Sequence, residues 1–256
     1  HEVGDKLLVE VAERLKSYIP REDVVSRHGG DEFLVLCRTS PDHPESMAED
    51  IVSGLRTTFL IDSWEVRISA SVGIARASEG GFDTQDTIRN ADVAMYVAKK
   101  EGKSQYCFFQ EHMLIEHQRK IDIANAIEPG LERGEFYICY QPKVSSDGEP
   151  RGVEALVRWN SHSLGSVSPS DFVPIAERSG KISALTDWVV ERVCRDVADY
   201  FQDLPVPILV SLNLSAYDLK RYQFSDFIRS TFETYAVRPE LIEFEVTEHA
   251  YLDNLE

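Results

Sequence analysis

From residue 136 onward, strand-forming runs are separated by helical ones. FYICYQPKV and RGVEALVRW are followed by the helical stretches SDFVPIAERSG and LTDWVVERVCRDVADYF, then by PILVSLNLS, FSDFIRSTFETYAV and LIEFEVTE. Strands separated by helices indicate parallel βα units with helices packed on a sheet. Four strands leave at least one open edge, which predicts further units of the same kind in the parent protein.

The first part of the chain has a different pattern. Leu7, Leu8, Val11, Ala12 and Leu15 form a helical stripe, and a turn is expected at Pro20. In SRHGGDEFLVLC, two adjacent glycines and two adjacent acids lie between runs of strand formers. A Gly-Gly turn joining antiparallel strands is the simplest reading. The polar loop RTSPDHPES leads to a helix over about 47 to 59, a strand within WEVRISASVGIAR, a Gly-rich loop, a helix over about 85 to 100, and the strand QYCFF. This unit, residues 1–109, reads as an α/β sandwich. Residues 110–125 read as a polar linker helix interrupted soon after by Pro129-Gly130, and a second domain occupies 126–256. The chain opens inside a helical pattern and stops just after a strand, so both ends read as cut.

The 44 acids against 27 bases give a formal charge of -17, which argues against a general DNA or RNA binder. An anionic ligand must therefore be met by local cations or by bound metal. Cys37, Cys107, Cys139 and Cys194 are widely spaced with no C-x-x-C pair, and they read as buried, reduced thiols of a cytoplasmic protein. No apolar run approaches the ~20 residues of a membrane span. This segment is thus expected to make no membrane contact, although the parent protein could still be anchored.

Asp31 and Glu32 repel one another unless a cation reaches them. Carboxylates suit a hard divalent ion, and bare glycine backbone lets a nucleotide approach. The bland alternative is a surface hairpin with solvated acids. With HEVGD, ASVGIA and ADVAMYVAKKEGKSQY, the stretch RHGGDEF resembles the GGDEF family of diguanylate cyclases, which join two GTP molecules into cyclic di-GMP. The resemblance implies that Asp31 binds metal and serves catalysis, that Glu32 assists, and that Gly29 and Gly30 lie against the nucleotide. It also implies that Asp5 reads guanine and that Lys99 and Lys103 face the triphosphate. Here Lys103-Ser104 stands where Arg-Asn is commoner, replacing a planar fork by a point charge. The family's first strand, with a further metal-binding Asp, would precede His1. Its R-x-x-D inhibition site falls on Pro20-Arg21-Glu22-Asp23, with proline in the arginine position. On an extended segment, Arg21 would point to the opposite face.

In the second domain, strand alternation puts Glu154, Leu156 and Arg158 on one face, Ser211, Asn213 and Ser215 on another strand's face, and Glu243, Glu245 and Thr247 together on a third. In a (β/α) barrel, catalytic groups come from the C-terminal ends of several strands. Glu154, Asn213 and Glu245 make a hard-oxygen set suited to Mg²⁺ or Mn²⁺, with polar strand caps or pairing to Arg158 as the plain alternative. YQPKV, EALVRW, FVPIAERSG, SLNLSA and FEVTEHA together resemble the EAL family, phosphodiesterases that open cyclic di-GMP to the linear dinucleotide. The resemblance implies part of a TIM-like (β/α) barrel, with Glu154, Asn213 and Glu245 as metal ligands. Glu154 is then also catalytic, Glu248 steadies the loop beside the metal, and Gln141, Leu156 and Arg158 hold the dinucleotide. The family's later catalytic residues would follow Glu256.

The expected protein is therefore a tandem GGDEF-EAL signalling protein of bacterial type. Its EAL domain would be a metal-dependent cyclic di-GMP phosphodiesterase, and its GGDEF domain would bind GTP. A diguanylate cyclase or a non-catalytic cyclic di-GMP receptor is the alternative, and a homodimer through either domain stays open.

Overall fold

The computed structural model describes residues 2–38 and 43–246. The chain divides into two compact units, His1–Gln118 and Arg119–Glu256.

Unit 1 runs α1 (Glu2–Tyr18), β1 (Val24–Gly29), β2 (Glu32–Leu36), α2 (His43–Leu55), β3 (Phe59–Ile61), β4 (Trp64–Val66), β5 (Val72–Ile74), α3 (Thr84–Lys100) and β6 (Tyr106–Phe108). The apolar stripe of α1 buries Val11 and Leu15 against Met47, Ile51 and Leu55 of α2 and against Phe59 and Ile61. β1–β2 and β3–β4 are antiparallel hairpins, whereas β5 and β6 pair in parallel across α3. Asp83 caps α3 by accepting the Asp86 N–H at 2.9 Å. A side chain on Gly73 would put its Cβ 1.9 Å from the Ala91 carbonyl oxygen, so glycine is what lets α3 sit directly on β5.

Three expectations for this unit are corrected. The helix expected over 47 to 59 ends at Leu55, and Phe59 opens a strand because its ring is buried while its backbone pairs with Val66. WEVRISASVGIAR divides into β4 and β5 instead of forming one strand. The turn expected at Pro20 forms, with the Asp23 N–H donating to the Pro20 carbonyl at 3.0 Å, which overturns the extended segment assumed for Arg21.

α4 (Glu111–Glu132) continues through Pro129, where an interruption was expected. An interior proline costs about 3 kcal/mol. Burial of Ile123 and Ile127 against Phe136, Trp159 and Phe172 opposes that cost. Gly130 lies against Glu135 and Trp159, where a Cβ would already be tight at 3.1 Å.

Unit 2 continues with β7 (Phe136–Val144), β8 (Pro150–Ser161), β9 (Gly165–Val167), α5 (Pro169–Arg178), α6 (Ile182–Asp196), β10 (Leu209–Leu214), α7 (Ala216–Leu219), α8 (Phe224–Tyr235) and β11 (Ile242–Val246). The sheet order is β11-β10-β8-β7, with β9 also paired to β8. β8, β10 and β11 are parallel as expected, but β7 is antiparallel to β8. The five-residue turn SSDGE between them is too short for a parallel crossover, which needs roughly a dozen residues. Val190, Val193, Cys194 and Val197 cover the parallel strands through Val210 and Leu212.

All four cysteines are free. Cys194 is buried and Cys37 and Cys107 are half-buried, but Cys139 is exposed, against expectation, because it projects from the edge strand β7. Among the described residues no helix is long and apolar enough to cross a membrane.

Candidate active site

The unit 2 sheet gathers polar side chains on one face through its register. Gln141 lies opposite Glu154, Glu154 opposite Ser211, Ser211 opposite Glu243, and Asn213 opposite Glu245. Directly paired residues share a face, as do residues two apart on one strand. The face therefore also carries Lys143, Leu156 and Arg158.

Two hydrogen-bonded groups form on it. Asn213 Nδ2 donates to Glu154 Oε1 at 2.7 Å, linking two of the three expected metal ligands. The third, Glu245, accepts instead from Lys143 Nζ at 2.5 Å. The same ammonium donates to Ser211 Oγ at 2.6 Å and to Glu243 Oε2 at 3.2 Å, and Ser211 Oγ donates to Glu243 at 2.7 Å. The Glu245 contact is the chief cause that raises the Lys143 pKa, and the bonds from Ser211 and Lys143 lower that of Glu243. Gln141 and Asn213 are exposed, while Glu154, Leu156, Arg158 and Glu245 are half-buried. Arg158 turns one guanidinium nitrogen to the Val157 carbonyl at 2.9 Å. Glu248 lies outside the described residues.

Lys143 was overlooked as a site residue in the sequence. The signal was present, since the two-residue period that selects Gln141 selects Lys143 with it.

The donor set fits a hard divalent cation in chemistry. It offers two carboxylates and an amide, and Asn213 Oδ1 accepts no hydrogen bond among the described residues. The amide is essential to that fit, because no group of three or more His, Cys, Asp and Glu side chains able to hold a metal occurs among the described residues.

In unit 1 the hairpin forms, but its turn is one residue later than Gly-Gly. Gly29 ends β1, Gly30 and Asp31 form the turn, and Glu32 opens β2. Gly30 has φ 50°, a conformation glycine adopts readily. Arg27 donates from Nε and a terminal nitrogen to the Gly30 carbonyl at 3.0 and 2.8 Å, clamping the turn. Asp5, Asp31, Glu32, Lys99 and Lys103 are all exposed. Among the described residues no hydrogen bond or ion pair joins the two hairpin acids to either lysine. Lys103 and Ser104 have φ 60° and 55°, and Arg56 holds that turn through Ser104 Oγ at 2.7 Å.

Two family models divide the sequence between them: "Diguanylate cyclase, GGDEF domain" matches residues 1–105 and "EAL domain" matches residues 124–256. This chain is a GGDEF–EAL protein. It is 35% identical over 250 residues to the bifunctional diguanylate cyclase/cyclic di-GMP phosphodiesterase MucR of Pseudomonas aeruginosa, covering 97% of this chain and 36% of the relative. It is 38% identical over 258 residues to the cyclic di-GMP phosphodiesterase PdeR of Escherichia coli, covering 99% of this chain and 38% of the relative. The GGDEF–EAL chain thus spans little more than a third of the length of these curated relatives. Among solved structures, the EAL enzyme Bd1971 in its cAMP- and cyclic-di-GMP-bound form matches with a TM-score of 0.50 and 26% identity, over 55% of this chain and 40% of that one. The mixed α/β sheet of unit 2 is accordingly part of an EAL-type, TIM-like barrel fold, and its polar face is the face on which the sequence motifs converge.

Proposed function

We propose that the protein hydrolyses cyclic di-GMP to the linear dinucleotide in its EAL domain, with Mg²⁺ or Mn²⁺ held by Glu154, Asn213 and Glu245. The observation that carries this reading is the hydrogen bond between Asn213 and Glu154 on a face that also presents Glu245. The relatives' printed activities point the same way. A divalent cation held by these residues would supply water activation and charge neutralisation on the phosphodiester. Without such a cation, a chain of charge -17 would repel its anionic substrate.

The chain's own residues divide the remaining work. Glu154, oriented by the Asn213 amide, supplies the carboxylate beside the scissile phosphate. Gln141, exposed at the level of Glu154, offers amide donors and an acceptor to the dinucleotide. Leu156 and Arg158, further along the same face, give it an apolar contact and a cation.

The test is Glu154→Ala in the full-length protein, followed by chromatography of the linear product. Hydrolysis is expected to fall by about a thousandfold or more with the fold unchanged. Full-rate turnover would remove Glu154 from the mechanism.

A second site, for GTP at the hairpin, is supported by Gly29. This residue does not take positive φ, and a Cβ on it would meet nothing within 4 Å, so packing does not explain the glycine. Gly29 lies at the register shift of the hairpin, and its bare backbone there also leaves room for a ligand to approach. In this reading Asp5 reads guanine, Gly29 and Gly30 lie against the nucleotide, Asp31 and Glu32 hold a metal, and Lys99 and Lys103 meet the phosphates. Binding of GTP without cyclisation would make the nucleotide a regulator, and cyclisation would make the protein a cyclase.

A further inference from the structure

The unit 2 face carries three carboxylates, Glu154, Glu243 and Glu245, and one ammonium, Lys143, which is bonded to Glu243, Glu245 and Ser211. That ammonium is held by three partners. Ser211, which has no exposed surface, accepts from Nζ and donates to Glu243, so the hydroxyl fixes where the lysine head sits. Glu154 has a different partner, the Asn213 amide, and takes no bond from Lys143.

The two halves of the face are therefore unequal. Glu154 and Asn213 are joined by a neutral donor, which leaves the carboxylate's charge uncompensated. Glu245 is already compensated by a cation. A lysine ammonium on Glu245 and a divalent ion held by the same carboxylate are like charges that repel one another across so short a distance.

We infer that Lys143 is the resident counter-cation of this site, competing with divalent metal for Glu245 and thereby weakening metal binding. Glu243 and Ser211 provide the alternative anchor that keeps the ammonium on the face when Glu245 is taken. Lys143 is thus a positioning residue that sets the metal concentration at which the site fills. This inference rests on the metal site proposed above.

The experiment measures Mn²⁺ binding to the chain by the loss of the free-ion electron paramagnetic resonance signal, with thermal melting in chelator and in excess Mn²⁺. Lys143→Gln, which retains a donor for Ser211, and the near-isosteric Lys143→Met are both expected to bind Mn²⁺ about tenfold more tightly or better. Lys143→Arg, which keeps the charge, should bind as the native chain does. In chelator both neutral variants should melt lower than the native chain, and Mn²⁺ should raise their melting temperatures by more than it raises the native one.

A lysine with a merely structural role would lower the melting temperature equally with and without metal and leave affinity unchanged. That result, or weaker binding by both neutral variants, overturns the inference while the metal site stands. Absence of Mn²⁺ binding by the native chain and by every variant removes the metal site and the inference with it.

Discussion

The two candidate sites treat their carboxylates in opposite ways. In unit 2, Glu154 is bonded to Asn213, Glu243 to Ser211 and Lys143, and Glu245 to Lys143. Away from that face, Glu135 has a fully buried side chain that accepts from Arg133 at 2.8 Å, His162 at 2.9 Å and Trp159 Nε1 at 3.0 Å. In unit 1, Asp31 and Glu32 stand exposed at the hairpin tip, and what is held there is the backbone, by Arg27 on the Gly30 carbonyl. A bonded carboxylate is oriented before any ligand arrives, whereas an exposed one keeps its freedom until a cation comes. The EAL face is organised by its own side chains, and the GGDEF hairpin by its backbone.

The sharpest way to probe the contrast is Glu135→Ala. Removing this carboxylate leaves the buried Trp159 Nε1–H without its acceptor and is expected to cost about 2–3 kcal/mol, read by chemical denaturation of the chain. Arg133 foremost, with Trp159 and His162, holds this carboxyl down to about 2, against the opposing effect of burial. A depressed carboxylate contributes stability above its unfolded pKa and loses it as the proton returns. The native chain should therefore lose this contribution as pH falls from the ordinary glutamate range near 4.5 toward about 2, and the variant should lack that part of the acid transition. A variant as stable as the native chain would show that the pairing is ornamental.

A smaller effect separates backbone from acid in the hairpin. Gly30→Ala puts a Cβ on a positive φ and is expected to cost about 1–2 kcal/mol. Asp31→Ala should change stability by less than about 0.5 kcal/mol while abolishing GTP affinity in calorimetry with Mg²⁺ present. If Asp31→Ala destabilises as much as Gly30→Ala, the acids are structural and the contrast with unit 2 fails. If the native protein shows no GTP affinity, the hairpin is only a surface turn.

The smallest expected effect is none at all. Residues 20 to 23 form a turn in which Asp23 Oδ1 accepts the Arg38 N–H at 2.9 Å, so this acid is bound within the fold. Proline at position 20 carries neither charge nor donor for a phosphate. The native GGDEF domain should therefore bind no cyclic di-GMP here, by titration of the full-length protein with its EAL site disabled by Glu154→Ala and Arg158→Ala. Tight binding there that is lost on Asp23→Ala would mean that Arg21 takes the missing arginine's place.

Local pattern was enough for much of this. Strong helical periodicity located α3 and α6, and alternation identified β7, β8, β10 and β11 and assigned Glu154, Asn213 and Glu245 to their faces. It was insufficient where distant contacts oppose a local preference. Pro129 signals a break, yet α4 passes through it because Ile123 and Ile127, in the turns just before it, are buried in the core. Phe59 fits a helical stripe, yet it pairs with Val66 in a hairpin. The antiparallel entry of β7 was legible in the short SSDGE turn but was outweighed by the helix–strand alternation that follows it.

What the sequence determined by itself was the set of chemical groups and the strand on which each is carried, because side-chain direction along a strand depends only on a two-residue period. Tertiary structure alone decided which groups touch. Only the pairing of β7, β8, β10 and β11 brings Lys143 from one edge to Glu243 and Glu245 at the other, a hundred positions away in the chain. Register and the reach of a long side chain set that meeting, and neither can be read from a local pattern.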